Sequence, residues 1–487
     1  MFLAPRRNVI VPLVVACALF MENMDSTVLA TALPAIAVSL GVNPLRLNLA
    51  ITSYLLSLAV FIPISGWVAD KFGARTVFRA AIVVFTIGSV LCAFSSSLLH
   101  FVGARVLQGM GGAMMVPVGR LVLLRSIPKS ELIQAMAYLT VPALIGPIIG
   151  PPLGGFITTY FSWHWIFWIN VPIGILGFIL VTIFIEDVKE ERVPPLDLRG
   201  FVVLALALVG LIFGFETIGR GLVSPAVAYS ALAIGVVCTV LYVLHARLNR
   251  HPVIKLALLR YPTFRASMSG GFLFRIGIGA IPFLLPLMLQ IGFGLNPFHS
   301  GLLTFAAAVG AMTMKMTAAP ILRRFGFRRV LIGNAVLSSV FIAVYGLFQP
   351  DTPAFLMLGF LLLGGFFRSL QFTSMNILAF ADIPREEMSQ ATSFSAMAQQ
   401  LSLSVGVGVA ALVLHIAIGS APLPAADDFL PAFFVVGGVA ALSTFAFLRL
   451  PAAAGAEMSG HQAVVPPAAD ADPLPAPVAA RAKRPDA

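Results

Sequence analysis

Long apolar stretches separated by short polar turns run along almost the whole chain. Fourteen of them reach the ~18 residues that a membrane-crossing helix needs. They lie near 9–33, 48–69, 76–95, 98–119, 132–160, 165–185, 199–218, 224–245, 265–290, 299–321, 329–348, 353–380, 388–418 and 429–448. None shows the alternating ~10-residue pattern of a barrel strand, so the pattern predicts an all-α integral membrane protein. The first run follows Arg6-Arg7 as in a signal peptide, but it continues through Met24 to Leu33 without a small-residue cleavage site. It reads as the first span.

The basic residues sort these spans. With the N-terminus placed inside, 25 of the 31 Lys and Arg fall in cytoplasmic loops and ends, two (Arg46 and Arg220) fall outside, and four lie within spans. That asymmetry predicts a cytoplasmic N-terminus and, for an even number of helices, a cytoplasmic C-terminus. It also accounts for the net charge of +11 without nucleic acid. Trp163, Trp165 and Trp168 fall at the outer ends of spans five and six, where an aromatic belt belongs. Hydrophobic residues make up 59% and charged residues only 10% of the 487, too few to solvate a soluble surface. Cys17, Cys92 and Cys238 are far apart in apolar runs and read as packing residues. No phosphate-binding Gly-Lys-Ser/Thr motif, metal-ligand spacing or hydrolytic triad is present. No cofactor or metal is expected, and an enzyme is disfavoured.

The chain contains an internal repeat. Lys71-Phe72-Gly73-Ala74-Arg75 after span two is echoed by Arg324-Phe325-Gly326-Phe327-Arg328 after span ten. Arg105 and Gln108 in span four are echoed by Arg368 and Gln371 in span twelve. The matching order predicts two six-helix bundles with two helices inserted between them. The expected units are 1–189, 190–262 (linker and inserted helices), 263–450, and a disordered cytoplasmic tail at 451–487, which is rich in Ala and Pro.

Four constellations carry candidate chemistry. Glu22 and Asp25 are carboxylates inside span one, three residues apart, so both can face one cavity. A mid-span acid is costly, about 2.5–3.5 kcal/mol, which makes the pair a candidate proton-coupling site. A solvated position near the outer interface is the alternative. Gly66, Asp70, Gly73 and Arg75 form a loop motif in which the glycines permit close approach and a tight turn. Asp70 can meet a helix N-terminus or an arginine across an interface. Gly146, Gly150 and Gly154 repeat every fourth residue, with Gly155 beside them, and form a flat face for close packing; Pro147 and Pro151 permit bending. Arg105, Arg275, Lys315 and Arg368 are four cations inside spans, set against two acids. With Gln108 and Gln371 they are candidates for a substrate cavity, and the surplus points to an anionic substrate. Partners among Gln371, Gln399, Gln400 and carbonyls, with snorkelling of Lys315, would also satisfy them.

These motifs resemble the major facilitator superfamily, in particular its fourteen-helix drug:proton antiporter branch, over roughly residues 8–450. Asp25-x-Thr27-Val28 with Ala32-Leu33-Pro34 is similar to the branch's first-helix motif, except that Ala30 stands where the family usually has Asn. Ala74 replaces a common basic residue in the loop motif. The Gly146–Gly155 segment is similar to the antiporter signature, whose face in the family meets the opposite bundle. The resemblance implies a secondary transporter in the inner membrane that exports small molecules by proton antiport, with a drug-like compound or organic anion as substrate. Protons, the small-molecule substrate and the bilayer are then the partners, and the protein is expected to act as a monomer. A proton-coupled importer of an organic anion is the alternative, and an integral-membrane enzyme a weaker one.

Overall fold

In lipid a backbone can satisfy its hydrogen bonds only within a helix or a closed barrel, and the chain takes the first route throughout. The computed structural model describes residues 4–42, 44–187, 190, 193–218, 222–419 and 424–461. The N-terminal half comprises α1 (Ala4–Leu40), α2 (Pro44–Phe61), α3 (Ser65–Phe72), α4 (Ala74–Ala93), α5 (Leu98–Ser126), α6 (Leu132–Tyr160), α7 (His164–Trp168) and α8 (Asn170–Phe184). Two further helices follow, α9 (Leu198–Thr217) and α10 (Pro225–Leu248). The C-terminal half holds α11 (Pro262–Leu287), α12 (Pro297–Tyr345), α13 (Ala354–Leu378), α14 (Met388–Ile418), α15 (Phe429–Leu448) and the short α16 (Ala456–Ser459). Among the described residues there is no strand.

Each of the fourteen predicted stretches is helical. Twelve segments among the described residues are long and apolar enough to cross a membrane. One of these, His299–Tyr345, is two helices run together at Gly326, whose φ of 72° breaks the helical path. The other difference is α6, several of whose side chains (Pro147 and Pro151 among them) lie outside the described residues. Lys189, Arg192 and Arg220 of the charge argument also lie outside them, as does the side chain of Arg46. Large apolar side chains such as Ile183, Val240 and Phe445 are exposed around the bundle, as expected where lipid is the solvent.

Two arrangements position the interior. The inserted α9 packs against both α2 and α14, one helix from each half. It crosses α10 closely because Gly210 and Gly235 face each other: a Cβ on Gly235 would stand 2.6 Å from the Leu211 nitrogen. The second arrangement is at the end of the bundle that carries the basic loops, called here the basic end. Hydrogen bonds between the halves gather there. The Gly66 amide donates to Ser393 Oγ at 2.8 Å, the Ser65 and Ser393 hydroxyls are 2.9 Å apart, and the Ser389 hydroxyl donates to Asp70. Arg120 donates to Ser395 at 3.5 Å and Lys129 to the Ala381 carbonyl at 2.8 Å. The molecule is therefore closed at the basic end.

Part of the predicted tail is ordered and reinforces this closure. Residues 451–461 fold back on the basic end, and residues 462–487 lie outside the described residues. Met458 is buried, Gly455 packs against Phe327 and Leu378, and His461 Nδ1 lies 2.9 Å from the Arg323 carbonyl oxygen. Glu457 reaches Lys129 of the other half at 3.6 Å. Composition alone misses this segment because its apolar anchors are few and carry no helical period. Truncation after Leu450 should loosen the closed end. A cysteine replacing Ser395 should then react faster with a maleimide supplied from the basic side, and an unchanged rate would show that the strap plays no part in closure.

Candidate functional site

The N-terminal half buries an ion pair. Asp25 on α1 is 1% exposed and Arg105 on α5 is equally hidden. Arg105 Nη1 donates to Asp25 Oδ2 at 2.6 Å and to Gln108 Oε1 at 2.6 Å. Gln108 Nε2 and Asn170 Nδ2 donate to the other carboxylate oxygen, Asp25 Oδ1, at 2.8 and 2.9 Å. Asn170 also donates to Ser89 Oγ at 2.9 Å, and Ser89 donates to the Phe167 carbonyl at 2.9 Å. One carboxylate thus ties together α1, α5 and α8, with α4 behind. A buried charge survives only where donors of this kind replace water.

Close helix packing brings these groups within reach. A Cβ on Gly109 would lie 2.7 Å from the Tyr54 carbonyl, one on Gly111 2.6 Å from the Phe85 nitrogen, and one on Gly88 2.7 Å from the Gln108 nitrogen. The glycines therefore let α2, α4 and α5 approach backbone to backbone.

Glu22 takes a different route from Asp25. Its Oε1 accepts from the Tyr54 hydroxyl at 3.5 Å, and its Oε2 is buried without a hydrogen-bond partner among the described residues. The Tyr54 ring lies under the Arg105 guanidinium, 4.3 Å from its centroid, a cation–π contact. The two acids are linked through Tyr54 and Arg105 rather than lining one open face. Arg105, grouped above with the surplus cations, is neutralised by Asp25.

The glycine face of α6 also departs from what the resemblance implies. It packs on α1 of its own half. A Cβ on Gly146 would lie 3.1 Å from the Met24 nitrogen and the Phe20 carbonyl, and Gly150 abuts Thr27. Gly154 is buried and Gly155 half-buried. The face therefore backs directly onto the turn that carries Glu22 and Asp25.

In the loop motif, Asp70 accepts from Arg125 Nη2 at 3.1 Å within its own half, and from Ser389 in the first turn of α14 across the interface. Arg125 also holds Glu190 of the linker at 3.0 Å. Gly73 has a φ of 91° and its would-be Cβ points into the Asp187 carboxylate. Arg75 is half-buried.

The C-terminal half has cations without acids. Arg275 is fully buried and donates from Nη2 to Asn376 at 2.7 Å, while its Nε and Nη1 have no hydrogen-bond partner among the described residues. Lys315, 6% exposed, donates to Thr373. Thr373 and Asn376 are one turn apart on α13, so Lys315 and Arg275 flank the same helix. Arg368 is half-buried within electrostatic range of Tyr345. Gln371 is buried against the second arm of α12: it donates to the Leu331 carbonyl at 3.1 Å and accepts from Asn334 at 3.1 Å. Among the described residues no carboxylate pairs with Arg275, Lys315 or Arg368.

Sequence reasoning missed several members of these clusters. The apolar run stops at residue 119, which places Arg120 in a loop, but α5 continues to Ser126 and leaves Arg120 half-buried at the interface with α14, within electrostatic range of Arg275. Ser89 and Tyr54 were legible only as isolated polar residues inside apolar spans, which is the one signal that singles them out.

The Major Facilitator Superfamily model matches residues 15–260 and 267–480. The chain is 40% identical over 445 residues to "Putative multidrug resistance protein MdtD" of Escherichia coli O6:H1 strain CFT073, covering 90% of this chain and 94% of that protein. It is equally similar to the protein of the same name in Shigella flexneri. Two solved structures share the fold. The human organic anion transporter MFSD10 (TETRAN) gives a TM-score of 0.64 at 16% identity, over 91% of this chain and 99% of that one. The proton:xylose symporter XylE gives 0.66 at 14%, over 94% and 99%. The fourteen helical stretches in two halves, the buried charges they enclose and these matches lead to one conclusion: the chain belongs to the major facilitator superfamily and is a multi-pass membrane transporter, not an enzyme.

Proposed function

We propose that the protein exports small organic anions from the cytoplasm in exchange for protons. It works by alternating access as a monomer in the cytoplasmic membrane, with its basic end and both termini inside. The observation that carries the reading is the buried Asp25–Arg105 pair, clamped by Gln108 and Asn170. An ionised pair in the membrane interior is expensive to bury, and such pairs mark proton and substrate pathways. A proton delivered to Asp25 removes the charge that Arg105 answers and weakens the clamp on α1, α5 and α8. Glu22, with one oxygen unpartnered and the other at the Tyr54 hydroxyl, supplies a second proton acceptor on the same path.

Substrate charge follows from the other half. Among the described residues Arg120, Arg275 and Arg368 have no acid to neutralise them, and the unpartnered Nε and Nη1 of Arg275 can donate to a carboxylate. A lipophilic cation would meet repulsion there. The relatives' name adds drug-like compounds to the candidates, and a solved neighbour of the same fold is titled an organic anion transporter.

Proteoliposomes with an imposed pH gradient test the reading. Export of a carboxylate should depend on the gradient, and Arg275→Gln should lower it by about tenfold or more, the worth of a charge-assisted bond. Gradient-driven export of a cationic dye, with no carboxylate transport, would instead identify a multidrug exporter of cations. Orientation has its own test. A cysteine replacing Lys255 should be labelled only after the membrane is opened, and labelling in intact cells would reverse the topology.

A further inference from the structure

The seam that closes the basic end is held mostly by uncharged donors and acceptors: the Gly66 amide and the hydroxyls of Ser65, Ser389 and Ser393. Asp70, the acid in it, is already answered by Arg125. Arg120 on α5 reaches across the same seam to Ser395 on α14 at 3.5 Å. Arg275 approaches from the C-terminal half, on α11, which also packs against α14. Its Nη1 lies 2.9 Å from where a Gly271 Cβ would stand, so the guanidinium folds back along α11 toward the basic end. There the positive charge of Arg120 acts on it. Among the described residues neither arginine has an ion-pair partner, and Arg275 Nε and Nη1 are buried without a hydrogen-bond partner.

Closing the basic end therefore brings two unneutralised arginines of opposite halves toward each other. Like charges repel strongly where the dielectric is low, and buried donors left unpaired add to the cost of closure. A carboxylate between the two would answer both, since it carries the missing charge and accepts from guanidinium N–H groups. We propose that Arg120 and Arg275 form an anion sensor: a small carboxylate held between them favours closure of the basic end, and its departure lets the repulsion reopen that end. The proposal rests on the substrate charge argued above and adds Arg120 as the residue that couples binding to closure. The sign suits an exporter. Loaded from the basic side, the protein closes that side; emptied at the other, it is driven back to the form that can load again. A cation would add to the repulsion and hold the basic end open.

Electron spin distances between labels at the exposed positions 71 and 385 read the separation of the halves. The sample is the purified full-length protein, with its three native cysteines replaced, in nanodiscs of phosphatidylcholine. Succinate is the probe, and a bulky sulfonate buffer fixes the ionic strength. Succinate should deplete the longer, open distance by about tenfold, and its uncharged diamide should not. Arg120→Gln should abolish the response to succinate. Arg120→Glu, which can pair with Arg275, should deplete the open distance with no succinate present. Arg275→Glu should do the same by pairing with Arg120, so the result does not hang on one variant's folding. An arginine that merely held the seam together would give the opposite sign, because its loss would lengthen the distance. Carboxylate export in proteoliposomes, with distances indifferent to succinate and to both charge reversals, would overturn the sensor and leave the substrate reading standing. Closure by both reversals without any carboxylate export would overturn the substrate reading instead.

Discussion

Asp25→Asn should abolish gradient-driven transport, lowering it by about a hundredfold or more, while substrate still binds. The asparagine keeps the shape of the side chain but removes the charge that Arg105 answers at 2.6 Å. Removing one partner of a buried pair costs about 3–5 kcal/mol because the other charge is left uncompensated. Part of that cost is offset here, since Gln108 Oε1 also accepts from Arg105 and the new amide oxygen can still accept. The variant should therefore fold but hold α1, α5 and α8 less firmly. Binding isotherms and counterflow exchange, which need no proton gradient, should remain measurable. Glu22→Gln should have the smaller effect, because Glu22 makes a single long bond to Tyr54. The coupling site lies elsewhere if Asp25→Asn accumulates substrate against a gradient as well as the parent does.

The fold was largely legible because lipid leaves the backbone few choices. Apolar run length sets helix length, and a run that carries Gly and a basic turn must reverse there. The same logic marked Asp25 and Arg105, since charges inside such runs are rarely incidental. Who pairs with whom was not legible. Glu22 and Asp25 are close neighbours on a helix, but a separation of three residues still turns their side chains about 60° apart at 3.6 residues per turn. That angle is enough to send one to Tyr54 and the other to α5 and α8. The repeat of Arg105 and Gln108 by Arg368 and Gln371 suggested matched roles, yet Gln371 is taken up by Asn334 and the Leu331 carbonyl. The halves share a backbone plan while the polar partners differ, and only packing decides which polar atom is nearest. Arg120 was misjudged for a simpler reason: helices outlast their apolar runs, and a cation beyond the run can still point inward.

Gly66→Val should hold the basic end open and stop transport. The position is where α3 meets α14 most closely: a Cβ there would lie 2.5 Å from the Ser389 carbonyl oxygen and 2.7 Å from Ser393 Oγ. The nearer obstacle is backbone, so no rotamer change relieves it, and Ser393→Ala would remove only the second clash. Separation of the halves would also lose the Gly66–Ser393 bond and the contact of Asp70 with Ser389. Overpacking of this kind costs about 1–3 kcal/mol, and each ~1.4 kcal/mol shifts a two-state balance about tenfold. A closed form favoured by a few kcal/mol would then become the minor one, whereas the unfolded chain is unaffected, so stability should fall less than transport. Spin labels on cysteines at the exposed positions 71 and 385, with Cys17, Cys92 and Cys238 replaced, would read the separation of the halves. The longer distance should dominate in Gly66→Val and the shorter in the parent. The same distance distribution in both, with transport intact, would show that α3 and α14 do not form the gate.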